Sequence, residues 1–267
     1  MTQDSPNPTR KKRSENSQKG APYSLKTVLL FDMDGVLLRP GGYHTALQKS
    51  IAAIGAALGA PNTTLTADQI GRFEALGVSN EWDSLAIGAA LTLTHIWQVD
   101  PSARLVDFTP AEVTRTDQSP DFDAFLDRFQ PENPEPALDA LEILLAKHPD
   151  LDEDQQQHLT EILTHPREMG PSITLPVFQE TVLGSETYAQ TYGLPAQLHT
   201  ESYLLTFDRP NLTTENHAAL LKWLSAPGHA AGVLTNRPNS CPSGSHNSPE
   251  AEIGAHCVQL TDLPLMG

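Results

Sequence analysis

A short apolar run that ends in two aspartates constrains this chain more than any other feature. Residues 26–31 read KTVLLF and lead into Asp32-Met33-Asp34-Gly35-Val36-Leu37. A run this short and this continuously apolar predicts a strand covered on both faces, as in a parallel sheet. Open α/β sheets bind their ligands at the carboxyl ends of the strands, where Asp32 and Asp34 fall. A carboxylate there can attack phosphorus and form an aspartyl-phosphate. A second one, two residues on, can protonate the leaving oxygen and then deprotonate water. Gly35 lets the chain turn sharply out of the sheet. Without chemistry, the same residues read as an Asp-Gly turn that closes a strand, with Asp34 as its cap.

Two further apolar runs predict strands. Residues 230–234 (AAGVL) end at Thr235-Asn236, and 256–260 (HCVQL) form a weaker run. Between the first two runs, almost two hundred residues have helical character. Residues 43–58 carry apolar positions at helical spacing. Thr66 and Gln69 stand in capping-box positions before another helix. Residues 82–97 predict a third, and 136–147 with 152–163 an antiparallel pair. Residues 171–192 predict one further helix, and 213–224 a helix capped by Thr213 or Thr214. Residues 99–133 read as loop with a short helix at 122–129. Strand, long helical excursion, helix, strand is the pattern of a doubly wound α/β core. The excursion is too long for a crossover, so it reads as an inserted helical cap domain over 41–209. The core is then 25–40 and 210–267, with 1–24 a polar, disordered tail.

The string Phe31-Asp32-Met33-Asp34-Gly35-Val36-Leu37 resembles the first motif of the haloacid dehalogenase-like (HAD) superfamily at every position. The resemblance implies a Rossmann-like parallel core, Asp32 as nucleophile and Asp34 as general acid/base. It also implies Mg²⁺, held by the Asp32 carboxylate and the Asp34 backbone carbonyl. Members that dehalogenate lack the second Asp, because halide leaves without a proton, so its presence favours a phosphatase. Gly232-Val233-Leu234-Thr235-Asn236 is similar to the second motif. Thr235 would donate its hydroxyl and Asn236 its backbone N–H to the phosphoryl oxygens; a plain strand-end turn is the other reading of Thr235. Arg237 reads either as a phosphate contact or as an exposed loop arginine. The position of the insertion resembles the family's type 1 cap, which closes over the site and excludes water. Ser79-Asn80-Glu81-Trp82-Asp83 and Phe178-Gln179-Glu180, with Gly184, resemble cap signatures of one branch. Asn80, Asp83 and Gln179 are therefore candidates for substrate contact, or alternatively for helix capping and packing around Trp82. Residues 206–210 mark the return from cap to core.

Two elements of the family pattern are missing: a later Lys or Arg beside the nucleophile, and an acidic pair that completes the Mg²⁺ shell. Only 32 residues follow Thr235, with no Lys among them. Their acids are Glu250, Glu252 and Asp262. Asp262, before Leu263-Pro264, predicts a helix N-cap rather than a ligand. The family pattern thus predicts a C-terminally truncated core, an exposed edge on the nucleophile strand and weak cation binding. Three functions stay open: an impaired phosphatase of a small phosphorylated metabolite, or one half of a split enzyme completed by a second chain; a non-catalytic binding module; and a phosphomutase, which shares both aspartates.

Composition narrows the partners. Lys+Arg total 17 against 33 Asp+Glu, a net charge of -16, which repels nucleic-acid backbones. A bound divalent cation could still screen one phosphoryl site. The basic run Arg10, Lys11, Lys12, Arg13 reads as a solvated tail or as a contact for an anionic surface. Cys241 and Cys257, with His246 and His256 nearby, match no zinc spacing and read as free thiols. No membrane-length apolar stretch and no secretory signal are present, so the expected location is the cytoplasm.

Overall fold

The computed structural model describes residues 27–239 and 248–266. The tail with its basic run, Cys241 and His246 lie outside them. The chain opens with β1 (Thr27–Asp32) and the two-residue β2 (Leu38–Arg39), then enters the helices α1 (Gly42–Ala57), α2 (Ala67–Ala75) and α3 (Glu81–Ile96). Next come α4 (Phe122–Leu126), α5 (Pro136–Lys147), α6 (Glu153–Thr164), α7 (Leu175–Leu183), α8 (Ser185–Tyr192) and α9 (Tyr203–Phe207). The chain returns through β3 (Arg209–Pro210), α10 (Thr214–Leu224), β4 (His229–Leu234), α11 (Glu250–Cys257) and β5 (Leu265–Met266). The fold is α/β. A three-stranded parallel sheet has the order β1-β4-β5, and β2 pairs antiparallel with β3 where the chain leaves for the helices and comes back.

The helices follow from local chemistry. Thr66 and Gln69 form the expected capping box on α2, and Asp152 and Gln155 make another on α6, each contributing about 1 kcal/mol. Helix α3 is buried on nearly all sides, from Leu85 to Ile96, and packs on α1, α5, α6 and α7. A helix apolar all round belongs in the middle of a bundle. Its neighbours join it in one hydrophobic core drawn from α1 to α9, with Ile51, Phe73, Phe129 and Phe178 fully enclosed. A second and much smaller core lies under the sheet, built from Met33, Leu37, Leu38, Val233, Ala255, Val258 and Leu260. No helix among the described residues is long and apolar enough to cross a membrane.

Four expectations are corrected. Strand β1 is not covered on both faces: Val28 is 52% exposed, Leu29 37% and Leu30 62%. Residues 256–260 are not a strand but the last turn of α11 and its exit, closed by Gln259 at φ 59°. Their apolar residues continue the spacing of Ala251 and Ala255, which is helical. Asp262 starts no helix; the chain turns at 261–263 into β5, and the Pro264 carbonyl accepts the Val233 N–H at 2.9 Å. The single helix over 171–192 is two, α7 and α8, broken at Gly184. That residue has φ 80°, and a Cβ there would stand 2.7 Å from the Ser202 nitrogen, so only glycine fits the bend. Glu180, fully enclosed in α7, accepts the backbone N–H groups of Gln197, Leu198 and His199 at 2.7–3.0 Å and pins the segment beyond α8.

Candidate functional site

The turn after β1 is held by its own backbone. Gly35 N–H donates to Leu38 O at 2.8 Å, and the N–H groups of Leu37 and Leu38 donate to Met33 O. Met33 is fully buried beneath the turn, and Asp34, next along, faces the helices. Strands β1 and β4 are paired so that Asp32 lies level with Leu234. Thr235 is therefore one step beyond Asp32 on the adjacent strand, at the same carboxyl edge. Asp32 is exposed. Thr235 is 4% exposed; its hydroxyl accepts the Arg237 N–H at 3.1 Å, and its own N–H donates to Met266 O at 2.9 Å.

Arg237 is not an exposed loop residue. It is 3% exposed and lies between two carboxylates. Nε and Nη2 grip Asp34, Nε at 2.9 Å from Oδ2, and Nη1 donates to Asp208 Oδ2 at 2.8 Å. Its guanidinium sits 5.0 Å from the centre of the Tyr43 ring. Burial opposes its charge, but Asp34, Tyr43 and Asp208 outweigh that and hold its pKa above the ordinary arginine value. The other oxygen of Asp208 accepts the N–H groups of Gly41 and Gly42 at 3.0 and 2.9 Å. It thereby caps α1, which has no side-chain cap on its own N-cap residue. One carboxylate thus ties the chain leaving for the helices to the chain returning, and both to the arginine that grips Asp34.

On the other side of Tyr43 stands Glu250, at the first turn of α11 and wholly buried. The Tyr43 hydroxyl donates to Glu250 Oε2. Burial pushes the Glu250 carboxyl up from its ordinary pKa, although Tyr43, Ser248, Gln179 and Arg237 all favour its ionised form. Ser248 and Gln179 lie close by without a well-formed hydrogen bond to Oε1. Tyr43 is itself raised, first by burial and then by the charge of Glu250.

These groups border a cleft of 410 Å³ between sheet and helices. Asp34, Asn236 and Arg237 line it from the sheet side. Tyr43 and His44 of α1, with Asn80, Glu81 and Trp82 at the start of α3, line it from the helices. Asp32 and Thr235 stand at the same strand ends but do not line it. Of the three expected cap contacts, Asn80 alone borders the cleft, and it is also the cap of α3, accepting the Asp83 N–H at 2.9 Å. Asp83 is fully buried in a pair with Arg167 and is structural. Gln179 is enclosed in α7, does not line the cleft and lies close to Glu250. Tyr43, Glu81, Asp208 and Glu250 were missed as site residues; Asp208 carried a signal only through its place in the return segment. A larger hollow of 610 Å³ lies elsewhere, between residues 104–108, α6 and α7, and the Arg104 and Asp154 that border it are paired with each other.

The Mg²⁺ implied by the family resemblance finds few protein ligands among the described residues. Among the described residues no three of His, Cys, Asp and Glu come together as a metal site. The Asp34 carboxylate is taken up by Arg237; the Asp32 carboxylate and the Asp34 backbone carbonyl would hold the ion, with the rest of its octahedral shell left to water and substrate.

No protein-family model matches the chain, and no curated protein matches it. It is similar to an X-ray structure determined as a target of the Northeast Structural Genomics Consortium. The TM-score is 0.57 and the identity 18%, over 88% of this chain and 67% of that one. Likeness at that identity concerns the fold alone.

Proposed function

We propose that this chain belongs to the HAD-like lineage and transfers a phosphoryl group from a small phosphorylated metabolite through an aspartyl-phosphate on Asp32. The observation that carries the reading is the parallel register of β1 and β4, with Asp32 opposite Leu234. It brings Asp32 and Thr235 to the same carboxyl edge of the sheet, one step apart on adjacent strands. An Asp32 oxygen attacks phosphorus as the bond to the leaving oxygen breaks, and Asp34 supplies that oxygen with a proton. Asp34 then takes a proton from water, which attacks phosphorus and breaks the bond to Asp32. The Thr235 hydroxyl and Asn236 N–H donate to the phosphoryl oxygens, and Arg237 fixes the direction of Asp34. The family's cation, held by the Asp32 carboxylate and the Asp34 backbone carbonyl, would neutralise phosphoryl charge, but the later acidic pair of the family pattern is absent among the described residues. Turnover by this chain alone is accordingly expected to be slow or nil.

A non-catalytic binding module is the second reading, favoured by one observation: Asp34 is already gripped by Arg237. Incubation with acetyl phosphate followed by intact-mass measurement separates the two. The expected result is one added phosphoryl group per chain, absent in Asp32→Asn. An adduct that survives Asp32→Asn removes the nucleophile assignment. No adduct at any concentration, with or without Mg²⁺, leaves the binding module.

A further inference from the structure

We infer that the cleft beside Asp34 receives a phosphomonoester whose organic part carries a primary ammonium group, with Glu81 and Glu250 as its acceptors. The inference depends on the phosphoryl-transfer reading for the phosphoryl half of the ligand only. It starts from charge. The cleft is bordered by three carboxylates, Asp34, Glu81 and Glu250, and by two basic groups, Arg237 and His44. Both basic groups are spent. Arg237 is divided between Asp34 and Asp208, and His44 Nε2 lies 2.8 Å from Glu74. Among the described residues Glu81 and Glu250 form no ion pair of their own, in a cleft that would also have to admit a phosphate.

Glu250 is the sharper of the two. It is wholly enclosed, its Oε2 takes the Tyr43 hydroxyl, and its Oε1 has no well-formed hydrogen bond, although Ser248 and Gln179 lie close by. An enclosed carboxylate oxygen without a donor is unfavourable, and such an atom bordering a cleft marks a place for a donor from outside. Glu81 is half-buried on the facing wall, at the first turn of α3. Burial raises its pKa; His44 opposes the rise and the charge of Glu250 adds to it, so the two acids sense one another across the cleft. A primary ammonium supplies three N–H donors and one positive charge. It satisfies the bare oxygen and neutralises the pair at once. A hydroxyl would do only the first, and a quaternary amine only the second. Trp82, half-buried in the same wall, offers apolar surface to the carbon chain.

The test uses the full chain and calorimetric titration with three probes: ethanolamine phosphate, propyl phosphate, in which a methyl replaces the ammonium, and ethanolamine. Ethanolamine phosphate is expected to bind about tenfold or more tighter than propyl phosphate, the gain of a charge-assisted hydrogen bond. That preference is expected to vanish in Glu81→Gln and in Glu250→Gln, which keeps an acceptor for Tyr43; the melting curve of each variant reports its folding. Equal binding of the two phosphates, an unchanged preference in both folded variants, or no binding of any probe overturns the inference. So does Mg²⁺ binding that is lost in Glu81→Gln while the amines fail to bind. Binding of ethanolamine and its phosphate with no phosphoryl adduct on Asp32 keeps the ammonium site and removes the phosphoryl-transfer reading instead.

Discussion

Arg237 decides how the residues of the site stand toward one another. It is the only cation paired with the carboxylates of Asp34 and Asp208 among the described residues, and its own side chain is 1% exposed. Breaking a buried pair from one side costs about 3–5 kcal/mol, because the other charge is left bare. Here the lower end applies. Asp208 keeps two backbone donors, and the Asp34 side chain is 36% exposed, so water screens it. Arg237→Met is therefore expected to lower the unfolding free energy in urea by about 3 kcal/mol. Arg237→Lys is not expected to restore it, since one ammonium cannot grip Asp34 with two nitrogens while reaching Asp208. At this scale the sequence was informative where chemistry is local. The places of Asp32, Asp34, Thr235 and Asn236 at or just past the ends of β1 and β4 can be read directly. Arg237 was not readable that way: polarity argues for exposure, and only Asp34 and Asp208, 203 and 29 positions earlier, give it a reason to be buried. Asp83 failed in the opposite direction, because its partner Arg167 lies eighty-four positions away.

Between elements, one contact titrates in a useful range. His158 of α6 accepts the Leu105 N–H at Nε2, 3.1 Å away, and fastens the irregular segment before α4 to the bundle. Its other nitrogen is 3.4 Å from Glu161. Protonation would place a proton where Nε2 accepts, and burial accordingly holds the His158 pKa below 6.5. For a histidine with a depressed folded pKa, the neutral form is the one the fold prefers. Its stabilisation is present above the unfolded value and is lost as pH falls from about 6.5 through the folded pKa. Urea midpoints measured from pH 7.5 down to 5 are expected to fall, and to fall less in His158→Gln, which can accept the same N–H without titrating. The helices themselves were legible because α1, α3, α5 and α6 carry apolar residues at helical spacing, with capping residues in place on α3 and α6. The errors fall where spacing is too short to choose: 256–260, five residues that fit a strand or a last helical turn equally, and 171–192, where one glycine divides two helices.

The whole molecule is built around two very unequal hydrophobic cores. The helices α1 to α9 share a large one, while the sheet rests on seven buried side chains from the turn after β1, β4 and the end of α11. Helix α10, beside β4, has no fully buried residue. The outer edge of β1 has no partner strand among the described residues, and its apolar side chains on both faces meet solvent. Local opening is cheapest where few apolar contacts must be broken. Amides of β1 and β4 are therefore expected to exchange with deuterium well before those of α3. Peptide-resolved exchange checks this, and equal protection of the sheet and α3 would mean that the sheet is covered by something outside the described residues. An open apolar edge also pairs readily with another chain. Leu30→Lys places a charge on that edge at a position already 62% exposed, so it is expected to reduce concentration-dependent light scattering without slowing sheet exchange. If the variant instead loses the protection of β1, Leu30 is packed against a partner, and the edge belongs to an assembly rather than to solvent.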